Sequence, residues 1–161
     1  MMEILFEKGN RFITANGRKI VAWSKVRNEL NGLRPRANEP DLFRTTPDSI
    51  PSMPRSFPVG DWKITKIIPH PNKIGDGYLY PFFIATDAFQ MLDEWSLDNR
   101  GFYSRSTGKK IKDIAYGIHF SISDWTQGCI RVRDESDLRW LIDLIRPELE
   151  TSLEIKFVVR N

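Results

Sequence analysis

Six of the ten prolines in this 161-residue chain, Pro35, Pro40, Pro47, Pro51, Pro54 and Pro58, crowd into positions 35–58. Proline fixes φ and donates no backbone hydrogen bond, so such a stretch suits neither a helix nor a central strand. It reads as one long Pro-rich loop. A connection of that length inside a domain serves either as a lid or groove wall, or as a surface loop held by its own packing. Regular structure is therefore expected on either side of it.

Before the loop, Arg11–Thr14 and Lys19–Ser24 flank Asn16-Gly17, a dipeptide that accepts the positive φ angles of a tight type I′ turn, so a hairpin is expected. After the loop, a strand is expected over Asp61–Ile68, with Trp62, Ile64 and Lys66 on one face. Another is expected over Tyr78–Ala85, pushed toward an edge or a bulge by Pro81. In Thr86–Trp95, the residues Ala88, Met91, Leu92 and Trp95 recur at helical spacing and predict a short helix. Ala115–Phe120 reads as a short buried strand. Near the end, Asp134 is placed to cap a helix whose stripe is Leu138, Leu141, Ile142 and Ile145, and Pro147 is expected to stop it. Leu153, Ile155, Phe157 and Val159 then alternate as a half-buried strand. The expectation is a mainly β chain, a single domain over residues 1–161, with one or two short helices and the long Pro-rich loop.

Charge narrows the function classes more than it selects one. With 24 Lys and Arg against 21 Asp and Glu, the net charge is +3, and no block of like charges marks a nucleic-acid arm. No window approaches the ~18 apolar residues of a membrane helix, so no membrane span is expected. The opening run Met1–Lys8 has acidic residues around a short apolar stretch and lacks the basic and apolar regions of a signal peptide. The single cysteine, Cys129, excludes an internal disulfide.

That cysteine lies ten positions after His119, one of two histidines. A thiol becomes a strong nucleophile when an imidazole takes its proton or when positive charge stabilises the thiolate. A loop over Ser121–Gln127 can fold the interval back on itself and bring imidazole to sulfur. Gly128 permits close backbone approach, so amides around Gly128 and Cys129 can form an oxyanion hole. Arg131 adds fixed positive charge beside them. From the residues alone a buried structural cysteine is the commoner outcome.

The segment Thr126-Gln127-Gly128-Cys129-Ile130-Arg131, preceded by Tyr116-Gly117-Ile118-His119, resembles the signature of L,D-transpeptidase (YkuD-type) catalytic domains. Phe57-Pro58-Val59-Gly60-Asp61-Trp62-Lys63-Ile64 looks like that family's "T-P-x-G-x-Y-x-I" element, and the hairpin at Asn16-Gly17 looks like its opening. The resemblance implies an L,D-transpeptidase-like β-sandwich with a groove, using no cofactor and no metal. It implies that Cys129 is the nucleophile and His119 the base, with the imidazole held by the Phe120 carbonyl. Thr126, Arg131 and Gly128 would shape the motif loop, and Tyr116 and Trp125 would contact substrate. The implied substrates are peptidoglycan stem peptides: attack at the L-centre of diaminopimelate releases D-Ala, and the thioester passes to an amine, water or a free D-amino acid.

Three features depart from the family pattern. Phe120 stands where Gly or Ser usually follows the histidine, Gln127 stands where many members carry a second His, and the His-to-Cys interval is short. The short interval is similar to that of compact L,D-transpeptidase-like toxins delivered by type VI secretion. It implies action in the bacterial envelope, with a secretion-system or immunity partner. Three rivals carry less. A zinc site drawn from His70, His119, Asp124 and Cys129 lacks ligand spacing, and His70 sits between two prolines. A papain-like protease would place Cys before His. A non-catalytic peptidoglycan-binding or interaction module would have no need of nucleophile, base, Gly and Arg together.

Overall fold

The computed structural model describes residues 2–24, 49–51, 56–69, 82–97, 99, 103–114, 116–120 and 129–161. In chain order the strands are β1 (Met2–Glu7), β2 (Phe12–Ala15), β3 (Arg18–Trp23), β4 (Ser49–Pro51), β5 (Gly60–Pro69), β6 (Phe82–Thr86), β7 (Gln90–Leu97), β8 (Tyr103–Asp113), β9 (Gly117–Phe120), β10 (Ile130–Val132) and β11 (Ile155–Arg160). One helix, α1 (Glu135–Glu150), precedes β11. The chain is mainly β, as expected. Its main sheet closes on itself in the order β1-β11-β5-β6-β9-β10-β3-β2, where two packed sheets were anticipated, and β4-β7-β8 form a separate three-stranded sheet.

The hairpin turn behaves as its dipeptide requires. Asn16 and Gly17 have φ of 48° and 78°, and the flanking strands pair from Ala15↔Arg18 to Phe12↔Val21. The first residues, which carry no turn or period signal strong enough to mark them, form β1. It pairs parallel with β11 from Met2↔Ile155 to Glu7↔Arg160 and so closes the barrel with the end of the chain. Ile4, Phe6, Ile13, Ile20, Ile84, Ile118, Ile130, Phe157 and Val159 fill one core. Burying each such side chain contributes about 1.5–3 kcal/mol.

Several local expectations change. On β5 the register shifts between Ile64 and Lys66, a bulge that turns Lys66 to solvent and brings Ile67 against the core, so Trp62, Ile64 and Lys66 do not share a face. β6 lies between β5 and β9 and is no edge strand; Pro81 and residues 78–80 fall outside the described residues. The helix expected over Thr86–Trp95 is instead β7, because Gln90 to Leu97 pairs antiparallel with β8 from Gln90↔Asp113 to Leu97↔Tyr103. A four-residue apolar spacing is too short to separate the two periods, and strand partners decided. Within the Pro-rich region, Ser49–Pro51 pairs with β7 as an edge strand, the one sheet position where proline costs little. Pro147 does not stop α1. It lies in the last turn, and its carbonyl is met by Thr151 N at 3.1 Å and Thr151 Oγ1 at 3.0 Å. Asp134 takes the N-cap position with extended backbone, yet its side chain makes no capping bond and receives Arg133 instead.

The four stripe residues of α1, Leu138, Leu141, Ile142 and Ile145, join the barrel core. At the root of the β7–β8 hairpin a buried polar clip ties the second sheet to the barrel. The Tyr116 hydroxyl donates to the Asp113 carboxylate and accepts from Gln90 Nε2 at 2.6 Å, and Gln90 Nε2 also reaches the Ser56 carbonyl at 3.0 Å. Lys8 Nζ donates to Ser56 Oγ at 2.6 Å and to the Phe57 carbonyl at 2.8 Å, and partial burial pushes its ammonium below the ordinary lysine value. The Phe57 ring then meets Tyr116 and Phe157 edge-on, with centroids 5.5 and 5.6 Å away. Removing one partner of a buried hydrogen bond leaves the others unsatisfied, so Tyr116→Phe should cost about 1–3 kcal/mol in urea unfolding. It should also speed amide exchange at the Gln90–Asp113 end of the hairpin before exchange elsewhere rises. Unchanged exchange there would mean that the clip does not anchor the second sheet.

Candidate functional site

The candidate site follows from one strand pair. β9 and β10 run parallel, with Ile118 opposite Ile130, His119 opposite Arg131 and Phe120 opposite Val132. Side chains alternate across a strand. Ile118, Phe120, Ile130 and Val132 belong to the core cluster, which turns His119 and Arg131 to the other, outer face of the barrel. Cys129 leads directly into β10, and the burial of residues 129–132 alternates half-buried, buried, half-buried, buried. Cys129 therefore shares the face of Arg131 and His119. With strands about 4.8 Å apart and a rise of about 3.3 Å per residue, the backbone positions of residues 119 and 129 stand roughly 8 Å apart on the diagonal. An imidazole and a thiol methylene on one face can close that gap. Ten residues of sequence separation have become a cross-strand neighbourhood.

The same face continues sideways as a row. β6 pairs antiparallel with β9 and sets Phe83 opposite His119. β3 pairs antiparallel with β10 and sets Trp23 opposite Arg131. The rings of Phe83 and His119 stack at 6.2 Å with 20° between their planes. The Arg131 guanidinium lies over the Trp23 ring, 4.7 Å from its centroid. His119 is only 5% exposed although it faces away from the core, and Phe83 is buried without belonging to the core cluster. Gly117 makes room for this packing: a Cβ there would overlap the edge of the Phe83 ring and the Ile84 carbonyl oxygen.

Each residue expected at the site can now be placed. His119 and Arg131 stand opposite each other on the outer face, and Cys129, half-buried just before β10, falls on that face by strand alternation. Phe120 points its side chain into the core. Tyr116, expected to contact substrate, is a core residue at 2% exposure whose hydroxyl is engaged by Asp113 and Gln90, so its place is structural. Trp125, Thr126, Gln127 and Gly128 lie outside the described residues, as do His70 and Asp124. Phe83, Trp23 and the need for glycine at 117 carried no signal in the sequence, because each acts through a strand distant along the chain.

An open depression of about 480 Å³ runs along α1, lined by Glu135, Ser136, Arg139, Trp140 and Asp143. It holds none of the residues above, and its charged wall is already paired through Arg139 and Glu135 at 2.9 Å. The chemistry-bearing side chains lie on the β9–β10 face instead. No family model, curated protein or solved structure matches this chain.

Overpacking a site closed by backbone costs about 1–3 kcal/mol. Gly117→Ala should lose stability in that range by thermal unfolding, and should lose less of it in a Phe83→Ala background, where the ring no longer occupies the space and only the Ile84 carbonyl stands in the way. A melting temperature unmoved by Gly117→Ala would show that the ring does not press on this backbone.

Proposed function

We propose that this chain is a cysteine acyltransferase of bacterial cell-wall peptides, acting on tetrapeptide stems as an L,D-transpeptidase, an L,D-carboxypeptidase or a D-amino-acid exchange enzyme. The observation that carries it is the β9–β10 register, which sets Arg131 directly across from His119 and brings the only cysteine, two residues before Arg131, onto the same face by strand alternation. The family resemblance supplies the substrate class. It also implies a β-sandwich, and the closed main sheet is a different overall arrangement. What supports the reading is thus the strand pair and its side chains rather than the outline of the sheet.

In this mechanism His119 takes the Cys129 thiol proton and the sulfur attacks the carbonyl after the L-centre of a diaminopimelate residue. Collapse of the tetrahedral intermediate expels D-Ala, whose amine receives the proton from His119. An amine, water or free D-amino acid then attacks the thioester and returns the thiol. Arg131, whose guanidinium lies over the Trp23 ring, supplies a permanent cation on the same face to favour the thiolate. Such an enzyme acts in the bacterial envelope, where its substrate is.

Cys129→Ala should abolish release of D-Ala from purified tetrapeptide fragments, read by mass, while the melting temperature stays within about a degree of the wild type. Turnover retained by that variant would end the thioester mechanism. A base at contact raises the thiolate fraction, so His119→Ala should slow iodoacetamide alkylation of Cys129 at pH 7 by at least about tenfold. Equal rates from pH 6 to 9 would remove His119 from its assigned role.

A further inference from the structure

We infer that Phe83 is the positioning residue for His119: its ring, seated on the bare backbone of Gly117, holds the imidazole in the one orientation from which it serves Cys129. The inference rests on the assignment of Cys129 and His119 above and goes beyond it by naming what aims the base.

Three independent observations meet at this ring. Phe83 stands directly across the β6–β9 ladder from His119, and the two rings lie nearly parallel at 6.2 Å, an offset stack that fixes the imidazole plane. Gly117, two residues before His119 on the same face, is the position at which any side chain would strike Phe83 and the Ile84 carbonyl. The ring is therefore locked from below by backbone rather than by mobile side chains. Phe83 is 3% exposed, yet the barrel core does not include it, so its burial comes from the outer-face packing that contains the imidazole. On the far side of His119 the ladder continues to Arg131, itself held by Trp23 at 4.7 Å. The base is bounded by a ring on one flank and a fixed cation on the other.

An imidazole has two torsions to settle, and an unproductive rotamer withdraws the nitrogen from the sulfur. Small misplacements of a catalytic group cost disproportionately in rate. A stacked neighbour removes that freedom before substrate arrives. Leucine at position 83 keeps most of the volume and loses the flat face.

The test is a double-mutant cycle read by the reaction of the thiol. Iodoacetamide rates on Cys129 are measured from pH 6 to 9 for the wild type, Phe83→Leu, His119→Ala and the double variant. Ile84→Val, on the same strand but facing the core, serves as the control for lost stability. Phe83→Leu should react about fivefold more slowly at pH 7, with its pH profile moved toward that of His119→Ala. In the His119→Ala background the same change should add nothing, and Ile84→Val should keep the wild-type profile despite melting earlier. A wild-type profile for Phe83→Leu, or an equal slowing with and without His119, would overturn the inference while leaving the base assignment standing. If His119→Ala itself reacts like the wild type, the base assignment fails and the positioning role falls with it. Should Phe83→Leu not fold, Phe83→Met carries the same comparison.

Discussion

The register of β9 against β10 is the constraint on which the rest of this molecule turns. Setting Ile118 against Ile130 and Phe120 against Val132 sends four apolar side chains inward and leaves His119, Arg131 and Cys129 outside. A slip of one residue would exchange the two sets, driving the Arg131 guanidinium into the hydrocarbon core and turning Ile118, Phe120, Ile130 and Val132 out of it. Burying a guanidinium without a partner costs at least several kcal/mol. Hydrophobic burial and the geometry of the candidate site are thus enforced by one and the same choice. The strands are short, four residues and three, so neighbours must hold them: β6 on one side and β3 on the other.

Those neighbours do more than extend the sheet. Phe83 and Trp23 occupy the two outer positions of a row in which the inner positions are His119 and Arg131. Aromatic faces are suited to that place because they meet an imidazole by stacking and a guanidinium by cation–π attraction, and they exclude water from one flank of each. Among the described residues, side chains from adjacent strands flank the site on the outer face of the barrel, and glycine at 117 makes room for the Phe83 ring.

Among the described residues, a set of polar groups joins the second sheet to the barrel. Tyr116 immediately precedes β9, and its hydroxyl binds Asp113 and Gln90, the paired residues at the root of β7 and β8. Its carbonyl is taken by Thr86 Oγ1 at 2.5 Å and Thr86 N at 3.2 Å, at the end of β6. One residue therefore connects the hairpin root, the end of β6 and the start of the strand carrying His119. Buried networks of this kind are directional, so they set angle as well as distance in a way that apolar contact alone does not.

The sequence by itself determined what depends on neighbours along the chain. Asn16-Gly17 dictated its turn because positive φ is a property of those two residues, the stripe of α1 and the period of β11 were legible except that Leu153 lies exposed before the strand, and the spacing of His119, Gly128, Cys129 and Arg131 marked the candidate site. Tertiary structure decided the rest. Whether Gln90–Leu97 became helix or strand depended on a partner, β8, that its own period could not announce. The opening residues became a barrel strand only because the far end of the chain lay beside them, and Pro147 sits in the last turn of α1 with its carbonyl accepting from the Thr151 N–H and hydroxyl. The site divided in the same way. Its candidate residue types are written in the chain, whereas Phe83, Trp23 and the empty space at Gly117 act across strands, and pairing across strands is fixed by the burial of the whole core rather than by any local signal.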